Sequence, residues 1–254
     1  MNNLVAFKTL LRKELLRVFR IWKQTLLPPV ITSILYILIF GVSLGSYIKD
    51  FQGVTYLQFI LPGLAMMAVL TNAYTNTSSS FFGMKFQSSI QEILVSPISN
   101  LAVVGAFVLA GMIRGMIVGI LVLIVGRLFT DIPLMHMGLI LFFFAVVALI
   151  FASLGLLNGL TARSFDDVSI FPTFVITPLT YLGGVFYSIA LLPPFWKALS
   201  QFNPLLYFIN GIRYGFLGLT DVNIYFAIGL SSILAAGSFG LAWYLYAKGY
   251  KLKD

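Results

Sequence analysis

Residues 84–97, MKFQSSIQEILVSP, form a polar interruption between two long apolar stretches of the chain. The interruption carries Lys85 and Glu92 and closes with Pro97, so it is too polar and too short to cross a bilayer. Apolar residues recur in this stretch at helical spacing and would form one face of a helix, consisting of Phe86, Ile90, Ile93 and Leu94. The stretch therefore predicts a short amphipathic helix in water, pressed against the lipid surface or against another protein.

The composition of the chain is that of a membrane protein. Of its 254 residues, 59% are hydrophobic and 9% are charged, whereas soluble domains are about 45–50% apolar and about 25% charged. The sequence has no Cys, so disulfides and thiolate metal sites are excluded. We expect an all-α integral membrane protein rather than a water-soluble globule.

Six apolar segments are long enough to cross a membrane. They are predicted at residues 26–46, 57–80, 101–126, 133–159, 169–189 and 223–247. The connection at 190–222 is broken by Pro193, Pro194 and Pro204, and it predicts two re-entrant helices that cap the outer side. The chain thus divides into an interface helix at 1–24 and a six-span domain at 25–254, with the amphipathic helix at about 84–97.

The predicted N-terminal helix is amphipathic and lies along an anionic leaflet. Its apolar face is expected to comprise Leu4, Phe7, Leu11, Leu15, Val18 and Trp22. The lysines and arginines then set the orientation, because 11 fall on the side of the termini and 4, including Arg213, on the other. Both termini and the 84–97 helix are therefore predicted in the cytoplasm. This distribution also explains the net charge of +8, so membrane lipids and no nucleic acid are expected as partners.

Ionisable side chains are scarce in the predicted spans. Every Asp and Glu falls in a loop, a terminus or a surface helix, and His136 is near the end of the fourth span. Without a row of such groups, an ion-coupled transporter is disfavoured, and no catalytic or metal-ligating set is expected. The sequence has no phosphate-binding G-x-x-x-x-G-K-[ST], so ATP and Mg²⁺ would be bound by another polypeptide. Residues 41–45 match G-x-S-x-G, but a transmembrane helix does not supply the strand-to-helix turn of a hydrolase.

Arg114 is the single charge near the centre of a predicted span. A cation there costs about 2.5–3.5 kcal/mol on insertion scales, so it should face protein or water. Two interpretations remain open: contact with an anionic substrate headgroup, or a structural hydrogen bond to carbonyls, Asn or Tyr of a neighbouring span. Gly111, Gly115 and Gly119 form a small-residue ridge beside it, which indicates close helix packing.

Two stripes of uncharged polar side chains occur in the second and fifth spans. They consist of Asn72, Thr75, Asn76 and Ser79, and of Thr173, Thr177, Thr180 and Tyr181. Such stripes suit a pathway that amphiphiles slip through. The alternative is hydrogen bonding between helices, which averages only about 0.6 kcal/mol.

Four motifs resemble the permease subunits of ABC type-2 exporters. They are YLQFILPG at 56–63, QEILVSP at 91–97, GGVFYSIALLP at 183–193 and FNPLLY at 202–207, followed by Arg213 and Gly218. The likeness covers nearly the whole chain. Within the family, the chain is similar to the branch that includes export permeases for drugs, lipooligosaccharides and polysaccharides. The chain departs from the family pattern at Asn210, where an acidic residue is common, and at Gly183, where Ser often stands. Both positions lie in or near the outer segment, so the substrate class stays open.

The resemblance implies a homodimer in the bacterial inner membrane, driven by two copies of a separate ABC ATPase. It also implies that the helix after the second span couples ATP hydrolysis to transport. The residues that would carry this contact are Gln87, Gln91, Glu92, Ser96 and Pro97. A non-transport protein that anchors or scaffolds a cytosolic partner through the same helix is the alternative.

The lack of Cys makes the orientation testable by single-cysteine labelling. Cysteines at positions 49, 127 and 197 should react with an impermeant maleimide from outside intact cells. Cysteines at 87, 163 and 251 should react only after the membrane is opened. Labelling of position 87 in intact cells would overturn the predicted orientation.

Overall fold

The computed structural model describes residues 3–45, 47–48 and 53–251. Its α-helices, in chain order, are α1 (Asn3–Arg20), α2 (Trp22–Thr25), α3 (Leu27–Tyr36), α4 (Tyr56–Phe86), α5 (Ile90–Leu94), α6 (Asn100–Arg127), α7 (Met137–Thr161), α8 (Phe165–Phe171), α9 (Thr177–Leu182), α10 (Pro194–Gln201), α11 (Pro204–Leu217) and α12 (Ile224–Ala247). Two π-helical stretches, Ile37–Leu44 and Pro172–Ile176, continue α3 and α8, and a 3₁₀ turn occupies Ile189–Leu191. The fold class predicted from composition, all-helical, is confirmed for these residues.

Five helices of the described chain are long and apolar enough to cross a membrane. They are Trp22–Gly41, which joins α2, α3 and part of the first π-helical stretch, together with α4, α6, α7 and α12. They correspond to five of the six predicted spans. The π-helical stretch Ile37–Leu44 includes most of the residues that match G-x-S-x-G. These residues are therefore not in a strand-to-helix turn.

The predicted span at 169–189 is not among these five helices. This predicted span begins within α8 and continues through the π-helical stretch Pro172–Ile176 and through α9. The helix then ends at Leu182. Two prolines, Pro172 and Pro178, remove backbone donors from this continuous helical segment, which is π-helical from Pro172 to Ile176. Ser164 and Asp167 form a capping box at the start of α8, in which each side chain accepts a backbone N–H of the other residue. The backbone N–H groups of Arg163 and Ser164 lower the pKa of the Asp167 carboxyl.

Helix α4 is the central element of the fold. In the most apolar stretch of α4, 83% of the residues are buried. The corresponding share is 17% in the first span and 17% in α12. A capping box between Thr55 and Gln58 begins it, and α6, α7 and α11 pack around it. Its 31 residues rise about 46 Å, which exceeds the ~30 Å of bilayer hydrocarbon. The helix therefore projects beyond the membrane and carries α5 at its end.

Glycines let α6 and α7 approach the backbone of α4. A Cβ added to Gly115 of α6 would lie 2.7 Å from the Val69 carbonyl oxygen, and one added to Gly155 of α7 would lie 2.4 Å from that of Tyr74. Both distances are shorter than a van der Waals contact. The predicted packing role of the ridge beside Arg114 is thus confirmed in geometry, and α7 supplies a second ridge that was not predicted.

The N-terminal helix presents a different face from the predicted one. Its buried residues are Ala6, Leu10, Glu14 and Val18, whereas Leu4 and Trp22 are exposed. Helix α1 packs along α6, and the Asn3 side-chain oxygen accepts the Ser99 N–H at 3.2 Å near the start of α6. The predicted apolar face was wrong in these positions because the helix packs on protein and draws Glu14 inward.

The amphipathic helix at 84–97 is shorter than predicted. Only Ile90–Leu94 forms α5, because Ser88 adopts a left-handed conformation, φ 59°, that separates it from α4. Phe86 therefore belongs to α4 and contacts Phe82 and Phe165 rather than the apolar face of α5. Ile90 alone of the predicted face is fully buried.

The segment at 190–222 forms two short helices, as its prolines predict. Phe195 and Phe202, on and just after α10, are exposed, as expected for side chains at a membrane surface. Helix α11 is different, because most of it is buried against α4, α7 and α12. It is part of the helical core, and whether the pair is re-entrant stays a prediction.

Gly155→Ala should destabilise the protein, because the new Cβ overlaps the Tyr74 carbonyl. We expect a loss of about 1–3 kcal/mol in the free energy of unfolding, measured as a lower melting temperature in detergent. Gly229→Ala is the matched control, since nothing lies within 4 Å of its Cβ position, and it should be neutral or stabilising. Equal melting of the two variants would contradict the close α4–α7 approach.

Candidate functional site

Arg114 of α6 is buried, with 7% of its surface exposed. Its Nη1 donates to Asn76 Oδ1 at 3.3 Å, and its Nη2 donates to Asn72 Oδ1 at 3.1 Å and to the Thr25 carbonyl at 3.2 Å. These partners are of the kind that the structural interpretation of Arg114 predicts. The guanidinium thus ties α6 to α4 and to the end of α2.

A second arginine reaches the same amide. Arg17 Nη2 of α1 donates to Asn76 Oδ1 at 3.0 Å and lies 3.1 Å from Glu14 Oε2. Glu14, only 2% exposed, also accepts the Ser80 hydroxyl at 2.5 Å. We call Glu14, Arg17, Asn72, Asn76 and Arg114 the buried arginine cluster. It joins the N-terminal helix to α4 and α6.

Arg114 connects the middle of α6 to the beginning of the first span. Its Nη2 is bonded to Thr25, which lies near the beginning of the first span, Trp22–Gly41. The guanidinium is therefore level with the N-terminal end of that span, while Arg114 itself lies near the middle of α6 (Asn100–Arg127), as predicted.

A cavity of about 360 Å³ lies between α3 and α4, with Arg114 in its wall. Its other lining residues are Gln24, Thr25, Pro28, Pro29, Thr32, Ser33, Tyr36, Leu64, Met67, Ala68, Thr71, Asn72 and Thr75. Gln24, Pro28 and Thr32 are exposed at its rim, so the cavity opens to the surroundings. We call it the α3–α4 cavity.

The polar stripe of the second span is divided between the cluster and the cavity. Asn72 and Asn76 bind Arg114, and Asn72 and Thr75 line the cavity. Ser79 instead donates to the Thr75 carbonyl of its own helix at 2.6 Å. Three of the four predicted pathway residues thus meet at one place, while their role in transport stays a prediction.

The stripe of the fifth span is less coherent. Thr177 and Thr180 donate to carbonyls of their own segment, those of Pro172 and Ile176, and Thr173 is exposed. Tyr181 is the member that reaches another span, because its hydroxyl lies 3.0 Å from that of Tyr36, which lines the α3–α4 cavity. This contact links α9 to the first span.

The predicted coupling residues form a surface at the projecting end of α4. Gln87, Gln91, Glu92 and Pro97 are exposed, while Ser96 is half-buried and donates to the Ile93 carbonyl at 2.6 Å. Val95 is 85% exposed beside them. The surface combines polar and apolar side chains, as a protein docking site requires.

Arg213 is a buried charge that the sequence did not reveal. It was counted in an outer loop, but it lies in α11 with 1% of its surface exposed. Its Nη2 donates to the Gly184 carbonyl at 2.6 Å, and its guanidinium carbon sits 3.7 Å from the centre of the Phe59 ring. The Gly184 and Arg213 positions both belong to motifs noted in the sequence, yet nothing there indicated their contact.

A bundle of long apolar helices with a polar cluster and an open cavity defines a multi-pass membrane protein. Residues 5–217 match the family described as ABC-2 type transporter, so the chain belongs to that family. It is 48% identical over 250 residues to the inner membrane transport permease YadH of Escherichia coli (strain K12), and the alignment covers 98% of each chain. It is 28% identical over 221 residues to nodulation protein J of Rhizobium leguminosarum bv. viciae, covering 84% of each chain. The protein is a membrane transport permease.

Glu14→Gln should weaken the junction of α1 with α4. The change removes the only carboxylate of the cluster and leaves two guanidinium groups sharing one amide oxygen. We expect a loss of about 1–3 kcal/mol of stability, measured as a lower melting temperature. Glu92→Gln, an exposed position, is the control and should melt like the wild type. A Glu14→Gln protein that melts with the control would show that the ion pair adds nothing.

Proposed function

We propose that the chain is the membrane subunit of an ATP-driven exporter. It moves an amphiphilic, lipid-linked or drug-like molecule out of the cytoplasm or the inner leaflet. The observation that carries this proposal is the position of α5: it is joined by a short turn to α4, the most buried span, and exposes Gln91 and Glu92. A protein that docks there acts on the core of the transporter.

The partner in this proposal is an ABC ATPase, present in two copies, that binds ATP and Mg²⁺. The permease pairs as a homodimer in the bacterial inner membrane, with six spans and both termini in the cytoplasm. The fifth of these spans is the segment predicted at 169–189, which includes the end of α8, the second π-helical stretch and α9. Family membership supports the ATPase, and the lysine and arginine distribution supports the orientation.

The proposed mechanism uses α4 as a lever. Closure of the ATPase dimer on ATP pushes α5 and tilts α4 against α3 and α9. The α3–α4 cavity then changes shape, because Leu64, Ala68 and Asn72 on α4 form one of its walls. The Tyr36–Tyr181 hydrogen bond between the first span and α9 would break or reform in the same step.

The alternative of a scaffold that only anchors a cytosolic partner differs in one respect. It needs the exposed surface of α5 but no cavity in the membrane region. Co-purification of an ATPase with the permease, followed by assay of ATP hydrolysis with lipids, drugs and glycans, separates the two. Stimulation by a transported compound supports the exporter, and the lack of any nucleotide-hydrolysing partner would defeat it.

Glu92→Arg should uncouple ATP hydrolysis from transport while the protein inserts and folds normally. Glu92 is exposed on α5, so reversing its charge should disturb a complementary surface on the ATPase, and part of the effect should depend on salt. The measurement is transport per ATP hydrolysed in proteoliposomes. Asp131→Arg, an exposed charge reversal beyond α6, is the control. Full transport by Glu92→Arg would mean that α5 is only a solvated turn.

A further inference from the structure

We infer that the α3–α4 cavity binds an amphiphile whose headgroup carries a phosphate or a carboxylate. This inference rests on the proposed function for its biological role, because it names the class of substrate. It rests on the structure for its chemistry.

The cluster carries an excess of positive charge. It holds two guanidinium groups, those of Arg17 and Arg114, and one carboxylate, that of Glu14. Glu14 is paired with Arg17 and with the Ser80 hydroxyl. The hydrogen-bond acceptors of Arg114 are three neutral oxygens, from Asn72, Asn76 and Thr25. Within the described part of the chain, Arg114 therefore pairs with no carboxylate, and an anion would be held strongly at such a partly dehydrated place.

The same residues also have donors to spare. Among the residues that the structure describes, Arg114 Nε and Asn76 Nδ2 are buried without a hydrogen-bond partner, and of these two side chains only that of Arg114 lines the cavity. Both are donors, and they belong to side chains that are bonded to each other at 3.3 Å. A buried polar group that makes no hydrogen bond is destabilising, because it has lost its contact with water without gaining a partner. A small movement of the Arg114 side chain would turn its unpaired Nε towards the cavity, where a phosphate or carboxylate oxygen could accept from it.

The lining of the cavity changes character along α4. Leu64, Met67 and Ala68 are apolar, and Thr71, Asn72 and Thr75, further along the helix, are polar. The 11 residue steps from Leu64 to Thr75 span about 16 Å. Arg114 is bonded at the polar end, level with the beginning of the first span. A headgroup there and an apolar chain towards Leu64 would match the inner leaflet of the proposed orientation.

The test is lipid retention by the purified permease in a neutral detergent, followed by native mass spectrometry. Dioleoyl phosphatidic acid and oleate are the anionic probes, and dioleoyl phosphatidylcholine is the net-neutral one. The wild type should retain an anionic probe in preference to phosphatidylcholine. Arg114→Gln should reduce that preference about tenfold or more, since it removes a charge-assisted hydrogen bond, and Arg114→Lys should restore part of it. The two anionic probes decide between phosphate and carboxylate.

Two further variants keep the result interpretable. Arg12→Gln removes an exposed cation of α1 and should leave the preference unchanged. Thr71→Trp fills the cavity without altering Arg114 and should reduce binding of both anionic probes, even if Arg114→Gln fails to fold. Wild-type preference in both Arg114→Gln and Thr71→Trp would overturn the inference, because the lipid would then be held on the basic surface.

The assay needs neither ATPase nor transport, so its failure is distinct from failure of the proposed function. Anion binding by a permease without an ATPase partner would support the site and defeat the exporter. An ATPase-coupled permease that shows no such preference would support the exporter and defeat the site.

Discussion

The fold depends on how closely α6 and α7 approach α4. Between helices in a bilayer the hydrophobic effect supplies little force, so association rests on close packing and hydrogen bonds. The missing side chains of Gly115 and Gly155 bring the neighbouring helices against backbone carbonyls of α4. Because α4 is held in this way and also projects beyond the membrane, its far end can act on the core. The α3–α4 cavity, the buried arginine cluster and α5 all depend on this one helix.

Apolar length and proline positions were sufficient to predict most helices of the described chain. Five of the six expected spans appear as long helices, and Pro193, Pro194 and Pro204 correctly predicted two short ones. The fifth span is not among them, because its helix ends at Leu182 instead of the expected residue 189. Periodicity alone also misplaced the buried face of α1, since Glu14 is drawn inward by Arg17 and Ser80, and Ser80 is 66 residues away.

The candidate site was predicted in its residues but not in its arrangement. Arg114, Asn72 and Asn76 were identified from polarity within apolar segments, and they do contact one another. The contact of Arg114 with the Thr25 carbonyl could not be predicted, because it joins two segments that are 89 residues apart in the sequence. Arg17, Glu14 and Arg213 were missed for another reason: on a surface helix or in a loop, an ordinary charge gives no sign of a buried partner.

Polar contacts connect the two ends of the proposed mechanism. The buried arginine cluster ties α1 to the part of α4 that runs towards α5. Arg114, which belongs to this cluster, also lies in the wall of the α3–α4 cavity. A movement of α4 would therefore change the cavity wall and the N-terminal helix together. YadH matches this chain over nearly its full length, so the same helices are expected in that permease.

The central claim is that α4 moves relative to the first span when the partner ATPase binds nucleotide. Spin labels on cysteines at Thr32 and Thr71, on opposite walls of the α3–α4 cavity, measure this directly by pulsed electron resonance, and the chain has no other Cys. The distribution of distances between the two labels should shift when ATP is added to the complex. In a complex whose permease also carries Glu92→Arg, the distribution should not shift. An identical distribution with and without ATP in the wild-type complex would contradict the account.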